Sequence, residues 1–368
     1  MRMKVLHLLA AGNIGGIETL CKDYVRYSKH ENVVIILWDN GPLGDEMEKL
    51  GVKVVRLHAS RINVFSVVRQ VAKLCQVEKA DALIAHHAAP MSHLCLLYVK
   101  RNNPHVRTFA YAHGNAVDMI RVKKRQGLWL RKLIMKTSLS HADRVVAISK
   151  SVKESLIDCL GTPESKITVI YNGADISRFS LPTKPSLNGT LRLIYVGRLI
   201  PEKGVQVILE ALTHLNLQNK VHLNIVGDGP YRSTLETFVQ DHNLADRVNF
   251  LGSRRDVPGL LSESDVFLHM PLWEEGFGIT IVEAMAAGKI CICAKSGAIP
   301  EIITDGEDGF LVEKGNAEEL ARTIRKVAGM ESIRRKGICC AAQEDAKQFS
   351  DEAFVSRLDG LVDAVSNQ

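Results

Sequence analysis

No apolar run in this 368-residue chain reaches the ~18 residues that a membrane-spanning helix needs. No Cys-x-x-Cys pair occurs among the eight cysteines, so the paired spacing of a structural zinc site is missing. Cys291 and Cys293 stand two apart in an apolar run, where a strand would put both on one face as core thiols of a reducing compartment. No metal site is expected. No small-residue cleavage site closes the short apolar stretch at the start, which is expected to be a first buried strand in a cytoplasmic protein. Short-period repeats and low-complexity tracts are missing too. Neither sign of charge dominates: 47 Lys and Arg face 41 Asp and Glu, a net charge of +6. So mild a surplus suits phosphates or an anionic surface, and no nucleic-acid partner is expected.

What is present is the composition of a folded α/β protein, 46% hydrophobic and 24% charged. The length allows two domains, each able to bury its own core. Short runs rich in Val, Ile and Leu recur at residues 5–9, 33–37, 53–57, 82–85, 106–111, 144–148 and 167–170. They continue at 191–196, 221–226, 248–251, 266–268 and 290–293. Amphipathic stretches of helical length lie between them, for example at 205–215 and 317–328. Continuous apolar runs alternating with helices indicate buried parallel strands in two doubly wound units. Residues 180–190 carry two prolines and a glycine without periodicity and mark the linker. The expected division is residues 1–180, a linker at 181–190, residues 191–350, and a last amphipathic helix in 351–368 that packs back on the first domain.

Four glycine-bearing turns follow predicted strands. The first contains Gly12, Gly15 and Gly16 before a helix; its spacing is not Gly-x-Gly-x-x-Gly, so the dinucleotide fingerprint is absent. Such glycines let backbone N–H groups approach a phosphate or sugar, or serve only the sterics of the turn. In the second turn Gly197 is followed by Arg198 and Lys203, two cations at a strand's carboxyl end, where open α/β sheets bind ligands. A forked guanidinium and a mobile ammonium suit a diphosphate; two solvated charges are the alternative. The third holds Gly227, Asp228 and Gly229, and either touches ligand or is an ordinary tight turn. The fourth runs from Trp273 through Glu274, Glu275, Gly276, Phe277, Gly278 and Ile279 into a helix bearing Glu283. A helix N-terminus presents free N–H groups to phosphate. A carboxylate beside a diphosphate is repelled, so Glu275 and Glu283 suit uncharged sugar hydroxyls; otherwise they are a loop charge and an exposed helix charge.

In this order, Gly15-Gly16-x-Glu18, Ala147-Ile148-Ser149, Tyr171-Asn172-Gly173, Gly197-Arg198 with Lys203-Gly204, Gly227-Asp228-Gly229-Pro230 and the Glu275…Glu283 pair resemble a retaining glycosyltransferase of family 4. The resemblance covers nearly the whole chain. It implies the GT-B architecture, two Rossmann-like doubly wound domains facing across a cleft. It implies that Arg198 and Lys203 neutralise the departing diphosphate, helped by the backbone N–H groups of Phe277, Gly278 and Ile279. Glu275 would hold the donor hexose and Glu283 the ribose, with Gly15 and Gly16 approaching from the other domain. His113 matches the family's histidine near the reacting sugar; a structural histidine is the other reading. No Asp-x-Asp occurs, which fits a metal-independent GT-B enzyme. No cofactor is implied, because the nucleotide-sugar is a substrate. The expected reaction moves a hexose or N-acetylhexosamine from a UDP-sugar to a glycan or lipid-linked acceptor of a cell-surface polysaccharide. A hydrolysing nucleotide-sugar 2-epimerase, an NAD-dependent oxidoreductase and an inactive binding protein are the rivals. Lys289-Ile290-Cys291 and Trp273-Glu274 depart from the family's usual residues.

Residues 121–136 hold seven cations and no acid. Trp129, Leu130, Leu133 and Ile134 form one apolar helix face there. Such a helix lies on the inner face of an anionic membrane, or turns its apolar face into the core.

Overall fold

The computed structural model describes residues 2–13, 15–38, 41–58, 63–86, 89–117, 127–182, 189–215 and 221–366. The chain forms two compact units. One comprises residues 1–173 with 351–368, the other residues 174–350.

The first unit contains seven strands: β1 (Lys4–Ala11), β2 (Glu31–Trp38), β3 (Lys53–Arg56), β4 (Ala82–Ala85), β5 (Arg107–Ala112), β6 (Arg144–Ala147) and β7 (Ile167–Val169). They form one parallel sheet in the order β3-β2-β1-β4-β5-β6-β7. Val5 to Leu9 and Val33 to Leu37 are buried without alternation, because helices cover both faces of a parallel sheet. Strand order reverses between β1 and β4, which opens a crevice at their carboxyl ends.

The second unit repeats the plan with β8 (Leu191–Val196), β9 (Val221–Val226), β10 (Val248–Gly252), β11 (Val266–His269), β12 (Ile290–Ala294) and β13 (Gly309–Val312). Their order is β10-β9-β8-β11-β12-β13, all parallel, with the reversal between β8 and β11. Cys291 and Cys293 are fully buried in β12. The helix Ala317–Ala328 shows how the sequence sets an element. Ala317, Leu320, Ala321, Ile324 and Val327 recur on one face and enter the core, while the Asn316 side chain caps the start by accepting from Glu319 N.

The units divide slightly before the expected linker. Residues 174–180 belong to the second unit because Ala174 N donates to Phe349 O and the 3-10 turn Ile176–Phe179 packs on the helix Ile279–Ala286. Of the linker, residues 183–188 lie outside the described residues. The last helix, Asp351–Ser366, lies in the first unit. Its Asp359 accepts from Tyr24 Oη at 2.6 Å, Ser28 Oγ at 2.7 Å and Lys29 N at 3.1 Å.

Candidate active site

In the second unit, the turns singled out in the sequence gather at the carboxyl ends of β8, β9 and β11. Gly197 follows β8 and Gly227 follows β9. Gly227 has φ +133°, and a Cβ there would lie 1.8 Å from Gly197 O, so only glycine lets these two turns cross. Arg198 is exposed beside them and makes no ion pair with a described residue. Lys203, in the 3-10 turn Pro201–Lys203, reaches across to the loop after β11.

That loop separates two adjacent glutamates. Glu274 turns outward, pairing with Lys314 and accepting from Gly297 N at 2.6 Å. Glu275 turns inward. Its Oε2 accepts from Lys203 Nζ at 2.7 Å, His269 Nε2 at 3.2 Å and Trp273 Nε1 at 3.4 Å. Burial pushes the Glu275 carboxyl up, but the His269 hydrogen bond and the Lys203 ammonium outweigh it and hold the group well below the usual carboxylate range. Lys203 Nζ also sits 5.0 Å from the Trp273 ring centroid.

Gly278, at φ +97°, turns the chain into the helix Ile279–Ala286, whose N-terminus has no side-chain cap. Its first N–H groups stay available for an anion. Phe277 places its ring in the core against Phe349, with centroids 5.5 Å apart, so only its backbone faces the loop. Glu283 is half-buried on this helix, not the exposed charge a surface helix would carry. Burial pushes its carboxyl up to about 7, partly offset by Arg178.

In the first unit, Gly15 caps the helix Gly16–Tyr27 just after β1. A Cβ on Gly16 would meet nothing within 4 Å, and one on Gly15 would meet only the movable Glu18 carboxylate. Packing among the described residues therefore does not demand glycine at Gly16. His113 follows β5 and stacks on Tyr111, with centroids 4.3 Å apart. His86, after β4, stacks on both rings.

Sequence reasoning missed two features. His269 ends a buried strand, and nothing near it in the chain marks it as a partner of Glu275. His7, Cys21 and His86 bring three ligand atoms within 4.8 Å of one another. Both His7 nitrogens are already engaged there, Nδ1 with His86 Nε2 and Nε2 with Asn32 Oδ1, each at 3.0 Å. Burial also pushes the Cys21 thiol up, away from the thiolate that a metal takes. The chemistry of this set fits a hydrogen-bonded core better than a metal centre.

Comparison with known proteins agrees with the two-unit fold. Residues 14–178 match the family described as Glycosyltransferase Family 4, and residues 180–343 match Glycosyl transferases group 1. An uncharacterized glycosyltransferase of Methanocaldococcus jannaschii is 27% identical over 351 residues, covering 93% of this chain and 92% of that one. N-acetyl-alpha-D-glucosaminyl L-malate synthase of Bacillus anthracis is 26% identical over 324 residues, covering 83% of each. The crystal structure of Anabaena HepE in complex with UDP and glucose superposes with a TM-score of 0.82 at 25% identity, over 98% of this chain and 100% of that one. Two family matches in succession, on two parallel α/β units with their glycine turns at the strand ends, make this chain a GT-B glycosyltransferase of the family 4 type.

Proposed function

We propose that the protein transfers a hexose or N-acetylhexosamine from a UDP-sugar, with retention and without a metal, to a glycan or lipid-linked acceptor in cell-surface polysaccharide synthesis. The observation that carries this reading is the convergence of Arg198, Lys203, Glu275 and the uncapped helix start at Gly278 on one end of the second sheet. Cleaving a sugar–phosphate bond builds negative charge on the diphosphate. Arg198, Lys203 and the helix N-terminus supply positive potential where that charge forms. Glu275 takes the sugar and Glu283 the ribose, since both are carboxyl acceptors for hydroxyls. Gly15, Gly16 and His113 belong to the same reading as first-unit residues that handle the transferred sugar. The HepE complex supports a UDP-linked donor.

Among the described residues, no helix is long and apolar enough to cross a membrane. The lipid-linked acceptor is supported instead by the helix Leu128–His141, which turns Trp129, Leu130 and Leu133 outward beside Lys132 and Lys136. This reading places the enzyme in the cytoplasm, on the inner face of the membrane.

The test is a thermal-shift panel of UDP, GDP, ADP, their sugar conjugates and NAD, followed by transfer assays. Binding to the folded state raises the melting temperature by mass action. UDP and one UDP-sugar are expected to shift it. Arg198→Ala is expected to lower kcat by about 100-fold, the usual effect of removing one charge-stabilising donor. Full transfer activity in Glu275→Ala, or a shift with NAD alone, would refute the reading.

A further inference from the structure

Three donors meet a single oxygen of Glu275, and their origins differ. Lys203 comes from the turn after β8, His269 from the end of β11, and Trp273 from the loop itself. No hydrogen bond from a described residue reaches the other oxygen, Oε1. The carboxylate is thus gripped on one side and open on the other.

A bound donor competes with Glu275 for the Lys203 ammonium. That ammonium is one charge on a flexible stem, and a diphosphate offers it more negative charge than a single carboxylate does. His269 has no such alternative. Its ring is buried and runs nearly parallel to Phe267, with centroids 6.1 Å apart and a 12° interplanar angle. Its Nδ1 is enclosed without a hydrogen-bond partner. A proton on Nδ1 would be a buried, unsatisfied donor and would turn a bare lone pair on Nε2 toward the carboxylate. The proton therefore sits on Nε2 and is donated to Glu275. Burial also pushes His269 toward the neutral form. Trp273 Nε1–H, a donor only, adds a second fixed grip.

We infer that His269, assisted by Trp273, is a positioning residue for the donor sugar: it holds Oε2 of Glu275 once Lys203 turns to the diphosphate, so that Oε1 stays aimed at a sugar hydroxyl. This rests on the proposed role of Glu275 in holding the sugar. It adds a residue whose effect is confined to the sugar part of the donor. UDP, which lacks the sugar, does not need it.

Calorimetric titration of the full chain with UDP, UDP-glucose and UDP-N-acetylglucosamine tests the inference. His269→Leu is expected to weaken binding of the preferred UDP-sugar about tenfold or more, the size of a lost hydrogen bond to a charged group, with UDP affinity kept within about twofold. His269→Gln carries an N–H near the place of Nε2 and is expected to restore UDP-sugar binding to within about threefold of the parent. Unchanged UDP binding also shows that both variants are folded. Equal losses for UDP and UDP-sugar would reduce His269 to a structural residue. A Gln variant as weak as the Leu variant, or a Leu variant that binds UDP-sugar like the parent, would overturn the inference while leaving the donor site standing. A parent that binds none of the three nucleotides would remove the donor reading itself, and the inference with it.

Discussion

Glu283 shows how far one residue's chemistry departs from its place in the sequence. Beside Val282 and Ala284 it could be any helix charge, yet burial raises its carboxyl from an ordinary 4.5 to about 7. The sign of the consequence is fixed. Between those two values the folded state keeps a proton that the unfolded chain gives up, so this group's contribution to stability falls as pH rises through the window. Glu283→Gln removes the titration. Relative to the parent, the variant is expected to gain about 1 kcal/mol between pH 4 and pH 8, a value discounted for the group's partial exposure. Urea unfolding at the two pH values, without nucleotide, measures it; parallel pH profiles would show that burial does not disfavour the ionised carboxylate. At the same scale, Gly227 was legible as a strand-end glycine, but the 1.8 Å approach of Gly197 O that requires it was not. That approach depends on β8 and β9 being neighbours.

At the scale of elements, β1 to β12 were legible because a buried parallel strand is a continuous apolar run, and each such run became one; β13, whose four residues open on glycine, was not read. The basic helix was not decided this way. Its apolar residues suited either a core or a membrane face, and periodicity is the same for both. In the structure Met135, Ser138 and Leu139 face the core. Trp129, Leu130 and Leu133 are 71%, 46% and 51% exposed, and Ile134 is half-buried. Residues 121–126, the basic start of this segment, lie outside the described residues. An exposed apolar face flanked by lysines matches the interfacial region of an anionic bilayer. The protein is expected to sediment with phosphatidylglycerol vesicles at low salt, and less so as salt screens the lysines. Replacing Trp129, Leu130 and Leu133 together by serine is expected to abolish this without lowering the melting temperature. Retained sedimentation in the triple variant would show that this face is not the contact.

At the scale of the whole molecule, the first unit is closed by a segment from the far end of the chain. Asp359 is nearly buried and accepts from Tyr24, Ser28 and Lys29, 335, 331 and 330 residues away in sequence. Tyr24 also meets Phe354 edge-on, at 6.1 Å between centroids. Asp359→Ala strands these donors and is expected to cost about 2–3 kcal/mol, the penalty of leaving buried polar groups unsatisfied. Hydrogen exchange locates the loss. Amides of the helices Gly16–Tyr27 and Asp351–Ser366 should exchange faster while β8 to β13 keep their protection. Loss of protection throughout the second unit would contradict a tie confined to the first.

The sequence by itself determined the α/β class, the two parallel-stranded units, the glycine turns at the strand ends and the residues on which the family resemblance rests. These are local patterns: burial on both faces makes a strand continuously apolar, and a strand-to-helix turn leaves its mark in glycine and charge. Only the tertiary structure decided that Glu275 and not Glu274 turns inward, that Lys203 meets it from 72 residues away, and that His269 grips the same oxygen. It also set the division at residues 173 and 174. Those outcomes depend on which strands lie side by side, and strand order is a property of the assembled sheet that no short stretch of sequence contains.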